Sequence, residues 1–125
     1  MRSVIAVAGL VASTYACADQ SAVLFEIVLT RGGTVVASPK VVAEFGKTVA
    51  LAEGHMKFEG SASTPDKDGN SFTAVKLSLI DGRELKAIKQ MSMLADLTKS
   101  PSFEVSVPGT DARFVVKPRL VKVPG

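Results

Sequence analysis

The sequence predicts an all-β fold, an antiparallel β-sandwich or partly open barrel of about seven or eight short strands. Three observations carry this reading. Residues 22–30 alternate strictly, with Val23, Phe25, Ile27 and Leu29 on one face and Glu26 and Thr30 on the other, the period of a half-buried strand. Short β-branched and apolar runs then recur, separated by Gly, Pro and Asp turn signals. Only residues 84–95 could also be spaced as a short amphipathic helix.

The first 18 residues, MRSVIAVAGLVASTYACA, have the layout of a secretory signal. Arg2 precedes an apolar run from Val4 to Ala12, and Ala16-Cys17-Ala18 supplies a small-residue cleavage site. The apolar run is too short to span a bilayer. Cleavage after Ala18 leaves a single domain, 19–125, without cysteine, so neither disulfides nor thiol chemistry is expected in it. The alternatives are a lipoprotein acylated at Cys17, although Thr14-Tyr15-Ala16 departs from the usual leucine-led approach, and a first strand of the domain.

From Ala22 the elements follow in order. Arg31-Gly32-Gly33 provides a tight hairpin, and Thr34 to Ala37 returns from it. Ser38-Pro39 marks an edge, bulge or corner, because proline has no N–H to give a ladder. Lys40 to Phe45, a Gly46-Lys47 turn and Thr48 to Ala52 make the next hairpin, with Val41, Phe45, Val49 and Leu51 expected inside. His55 to Gly60 extends that strand or begins another, with Met56 and Phe58 on one face. Residues 60–70, GSASTPDKDGN, read as a polar surface loop. Ser71 to Ile80 is a strand with Val75, Leu77 and Leu79 on one face, and Asp81-Gly82 a turn. Between helix and strand for 84–95, short flanking turns favour strand. Thr98 to Pro101 is loop, Phe103 to Val107 a strand, and Ala112 to Val116 its partner; Pro118 is expected to break the ladder before Leu120 to Val123.

Composition narrows the function. The chain has no tryptophan, one tyrosine (Tyr15, in the leader) and six phenylalanines spread along its length. Base-stacking platforms and carbohydrate sites are built from exposed rings, so the phenylalanines read as core. A net charge of +3 with both signs interspersed describes a solvated surface and not a nucleic-acid footprint.

Catalytic equipment is thin. His55 is the one histidine, so the mature chain offers zinc no second nitrogen or sulfur ligand, and no G-x-S-x-G elbow marks a nucleophilic serine. Asp66-Lys67-Asp68-Gly69-Asn70 resembles a calcium loop in composition. An EF-hand started there would need glycine and glutamate where Ser71 and Leu77 stand. A solvated turn or a looser calcium site remains. No phosphate-cradling glycine motif occurs. The tail from Ala112 to Gly125 holds Arg113, Lys117, Arg119 and Lys122 and no acid. The first three share one parity, and they could meet an anionic partner or protect a sheet edge.

The stretch Ser38-Pro39-Lys40-Val41-Val42, followed by Gly46-Lys47-Thr48-Val49-Ala50, resembles the β-hairpin in the membrane-embedded domain of bacterial secretins, the outer-membrane rings of secretion and pilus systems. The resemblance covers residues 35–54. It implies a β-hairpin and an envelope setting. It does not imply a channel, since a 125-residue chain lacks the tandem periplasmic domains of a pore subunit.

The expectation is therefore a non-enzymatic, exported β-domain of a Gram-negative-type cell envelope, periplasmic or secreted, that acts by binding a protein partner. It would serve as an accessory of an envelope or secretion assembly or as an inhibitor-like module. Contact is expected through a free sheet edge, with Arg113, Lys117, Arg119 and Lys122 as polar partner surface and no catalytic, cofactor or metal site. Membrane contact would arise only through a lipidated Cys17. The alternative, from another class, is a small secreted hydrolase or calcium-dependent enzyme working through His55 and the Asp66–Asn70 loop.

Overall fold

Nine antiparallel strands form two sheets in the computed structural model, which describes residues 19–81 and 84–124. The expected leader and cleavage site, residues 1–18, lie outside the described residues. In chain order the strands are β1 (Asp19–Arg31), β2 (Thr34–Ala37), β3 (Lys40–Glu44), β4 (Val49–Glu53), β5 (Met56–Ala62), β6 (Asn70–Asp81), β7 (Glu84–Asp96), β8 (Phe103–Ser106) and β9 (Ala112–Pro124). One sheet has the order β2-β1-β9-β8, with β3 also on β1; the other has the order β4-β5-β6-β7. Among the described residues no helix is long and apolar enough to cross a membrane.

The count exceeds the expected seven or eight because residues 56–62 form a strand of their own. Residues 84–96 are strand, as the short turns favour, and pair with β6 along its whole length. The ladder wins over helical spacing because Met91 and Met93 then share the face of Val75 and Thr73, and Met91 packs on the core. The loop after it contains a 3-10 turn at Leu97–Lys99, started by Asp96, whose side chain accepts the Thr98 N–H.

One proline departs from expectation and another meets it. Pro118 does not break the ladder: β9 runs through it and pairs β1 from Asp19–Pro124 to Arg31–Ala112. It is tolerated because β8 pairs β9 only as far as Val116, so Pro118 has a strand on one flank alone. At Pro39 the Ile27 N–H donates to the proline carbonyl at 3.0 Å, and no N–H returns. One ladder bond is lost, yet the register continues unchanged from Leu29–Ala37 to Glu26–Lys40. β2 and β3 are thus two halves of one edge strand along β1. The β1–β2 turn is closed by Gly32 (φ 58°) and Gly33 (φ 83°), the paired positive values that a two-residue hairpin of matching twist requires.

Val23, Phe25, Ile27 and Leu29 from β1, Met56 and Phe58 from β5, Leu77 and Leu79 from β6, and Phe114 and Val116 from β9 are fully buried between the sheets. Val41, Phe45, Val49 and Leu51 face this core as expected but are only half-buried; the buried residue of β3 is Ala43. They sit at the sheet margins, where one side of each side chain lacks a neighbour. β5 also runs three residues into the expected 60–70 loop, so Gly60 and Ala62 are buried rather than exposed.

Arg31 Nε donates to Asp111 Oδ1 at 2.8 Å, joining the β1–β2 turn to the β8–β9 turn. This bond holds the Asp111 carboxyl below its ordinary 3.8, and the hydroxyl and N–H of Thr98 do the same for Asp96. A carboxylate whose folded value is depressed adds stability above its unfolded value and loses it as pH falls through the folded one. Both aspartates should therefore titrate below 3.8 by carboxyl-carbon NMR. Arg31→Ala should return Asp111 alone toward its ordinary value, with little change in stability at neutral pH because the pair is exposed to solvent.

Candidate functional site

The basic residues of β9 do not make one surface. Arg113, Lys117 and Arg119 are exposed on the outer face of the five-stranded sheet, as their shared parity requires. Lys122 has the opposite parity and sits opposite Ser21, to whose Oγ its Nζ donates at 2.9 Å. Two of the three outer-face cations are already paired. Arg119 meets Glu26 at 2.7 Å, which also draws Lys40 to 3.6 Å, and Arg113 meets Glu104 at 3.9 Å. The face is thus a lattice of both signs interleaved with Leu24, Val28 and Val115.

His55 and the Asp66–Asn70 loop are not brought together. His55 is exposed in the β4–β5 turn, and the loop follows the far end of β5, whose seven residues separate them by roughly 20 Å. Asp66 Oδ1 accepts the N–H groups of Asp68 (2.9 Å) and Asn70 (3.0 Å), so one carboxylate oxygen is spent on closing its own turn. Among the described residues no three His, Cys, Asp or Glu side chains gather as a metal site. A depression of about 460 Å³ lies on the outer face of the four-stranded sheet, lined by Ala50, Ala52, Lys57, Glu59, Lys76 and Ser78, and it is open to solvent. Such a dish does not exclude water from a reacting group.

The sheet edges differ more sharply. The β2–β3 edge carries Pro39, Lys40 and Glu44, the residues that discourage pairing. β8 is four residues long and holds Glu104; β4 is five and ends at Glu53. β7 is thirteen residues long, and from Gln90 to Leu94 it has neither charge nor proline.

Backbone direction along β7 follows from three hydrogen bonds. The Ser63 N–H donates to the Phe72 carbonyl (2.9 Å) and the Ile80 N–H to the His55 carbonyl (2.7 Å), so even-numbered residues of β6 face β5. Odd-numbered ones face β7, and the Leu97 N–H to Gly69 carbonyl bond (3.2 Å) keeps that parity. The N–H and C=O groups of Gln90, Ser92 and Leu94 therefore point away from the sheet, with no strand beside them among the described residues. Beside this edge Phe72 and Leu94, directly opposite in register on the outer face, are 56% and 67% exposed. Sequence parity could have paired them, but only the sheet order shows that no strand lies beyond among the described residues.

No protein-family model matches the chain, and neither a curated protein nor a solved structure matches it.

Proposed function

We propose that this chain is an exported, non-enzymatic β-domain of the cell envelope that works by protein binding, accepting an extended strand on the β7 edge. The observation that carries the reading is the uncharged, proline-free run Gln90–Leu94 with three residues' backbone groups directed outward, flanked by the Phe72–Leu94 pair. Strand addition takes affinity from main-chain hydrogen bonds and specificity from alternate side chains, and this edge offers both. The leader pattern at residues 1–18 and the secretin-like stretch at 35–54 support the envelope setting. Arg113, Lys117, Arg119 and Lys122 would contribute a polar flank on the other sheet.

Two measurements test this. The exported protein should carry an N-terminus at Asp19 by mass spectrometry. A diacylglycerol-modified Cys17 would replace the soluble form with a tethered one, and an intact Met1 in the cytoplasm would sink the export reading. For the edge, the amides of Gln90, Ser92 and Leu94 should exchange fast in dilute purified protein, where the edge is empty, and become protected when envelope extract is added. Ser92→Pro removes an N–H that bonds nothing within the sheet, so the fold should keep its melting temperature while that protection is lost. Protection that survives in Ser92→Pro would show that partners bind elsewhere.

A further inference from the structure

We infer that the strand seated on β7 is β7 of a second copy, paired antiparallel about a two-fold axis at Met91; this rests on the edge reading above. A two-fold interface must be complementary to itself, residue i meeting j and j meeting i. With Met91 at the centre, Gln90 stands opposite Ser92 of the second copy, an amide facing a hydroxyl, and the same pair recurs across the axis. Leu94 falls opposite position 88 of the second copy, so the exposed Phe72–Leu94 pair lies beside the junction on both sides of the axis. Lys89 falls opposite Met93, so no like charges oppose one another.

The parity agrees with the register. The even-numbered residues, whose N–H and C=O groups point outward, meet even-numbered residues of the second copy, while Met91 meets Met91 at a close pair that needs no hydrogen bond. Shifting the axis to Ser92 would set Gln90 against Leu94, and shifting it to Gln90 would set Leu94 against Lys86. The other long edge does worse: centred on Lys40, the β2–β3 strand would oppose lysine to lysine. Pairing joins the two four-stranded sheets into one of eight strands. An edge junction of this kind buries less than the standard interface, so a weak, concentration-dependent dimer is expected.

Sedimentation of the purified protein with interference optics tests the inference. The wild type should shift from one mass to twice that mass as concentration rises. Gln90→Lys/Ser92→Lys places lysine opposite lysine at two exposed positions and should stay monomeric, as should Ser92→Pro. Gln90→Glu/Ser92→Lys sets a carboxylate at position 90 against an ammonium at position 92 of the second copy, once on each side of the axis. That variant should dimerise at least about threefold more tightly than wild type. All three should melt close to the wild type, since the edge positions are open to solvent. A double-lysine variant that dimerises like the wild type would overturn the register. A wild type that stays monomeric at every concentration overturns self-pairing. If its Gln90, Ser92 and Leu94 amides are nonetheless protected by envelope extract, the edge reading stands with a different partner.

Discussion

Phe58→Ala is expected to lower the melting temperature by about 15 °C or more, and to leave the chain largely unfolded if its stability lies at the lower end for such domains. Phe58 rises from β5 and Phe25 from β1, so the two come from opposite sheets. Both are fully buried, with ring centroids 5.2 Å apart at a tilt of 57°. Truncating a buried phenylalanine costs about 3–5 kcal/mol, and a tilted aromatic pair adds about 0.5–1.5 kcal/mol beyond its area. A domain of this size has only about 5–15 kcal/mol in all, and each kcal/mol moves the midpoint by about 4–8 °C. Phe45→Ala, at a half-buried site on the margin, should cost about half as much. Equal losses in the two variants, read by thermal denaturation, would show that the Phe25–Phe58 contact does not join the sheets.

Gly60→Ala should also destabilise, by about 1–3 kcal/mol, the range for overfilling a packed core. The Phe58 ring lies across Gly60. An added methyl carbon would stand 3.0 Å from Cε2 of Phe58, closer still to its Cζ, and 3.2 Å from Cε2 of Phe25. In an open strand the exchange would help by about 0.5–1 kcal/mol, because alanine loses less backbone freedom than glycine. Here the collision outweighs that gain, since the added carbon meets both rings of the buried Phe25–Phe58 pair. A melting temperature that rises in Gly60→Ala would mean the ring pair can slide.

These two residues also mark how far the sequence can be read. Alternation assigns Phe25, Phe58, Val75 and Leu77 to the core face, and all four are buried. Parity gives the face of a strand but not its depth in the sheet. It therefore turns Phe45 and Leu51 inward, as found, without showing that the sheet margin leaves them half-exposed. Gly60 reads as the start of a loop because small polar residues dominate the segment after it; its burial depends on a ring two residues back on the same strand. Pro118 reads as a breaker because the sequence does not show that β9 has one neighbour there. The β7 edge is hidden for the same reason. Gln90 to Leu94 is an ordinary run until the order of strands shows that β7 ends its sheet.

The pairing of β1 with β9 sets when the protein can fold. Asp19 lies opposite Pro124 and Arg31 opposite Ala112, so the first strand of the domain finds its full-length neighbour only in the thirteen residues of β9. Contacts of such sequence separation form slowly, because the intervening chain must surrender its freedom before any bond rewards it. Until Ala112 and its successors arrive, β1 has only the interrupted β2–β3 strand beside it, and Phe114 and Val116 are missing from the core. For an exported chain, as proposed above, that crosses its membrane before folding, folding cannot outrun transport. Nascent chains stopped short of Ala112 should remain open to protease, and the whole domain should close only once its C-terminal strand has crossed.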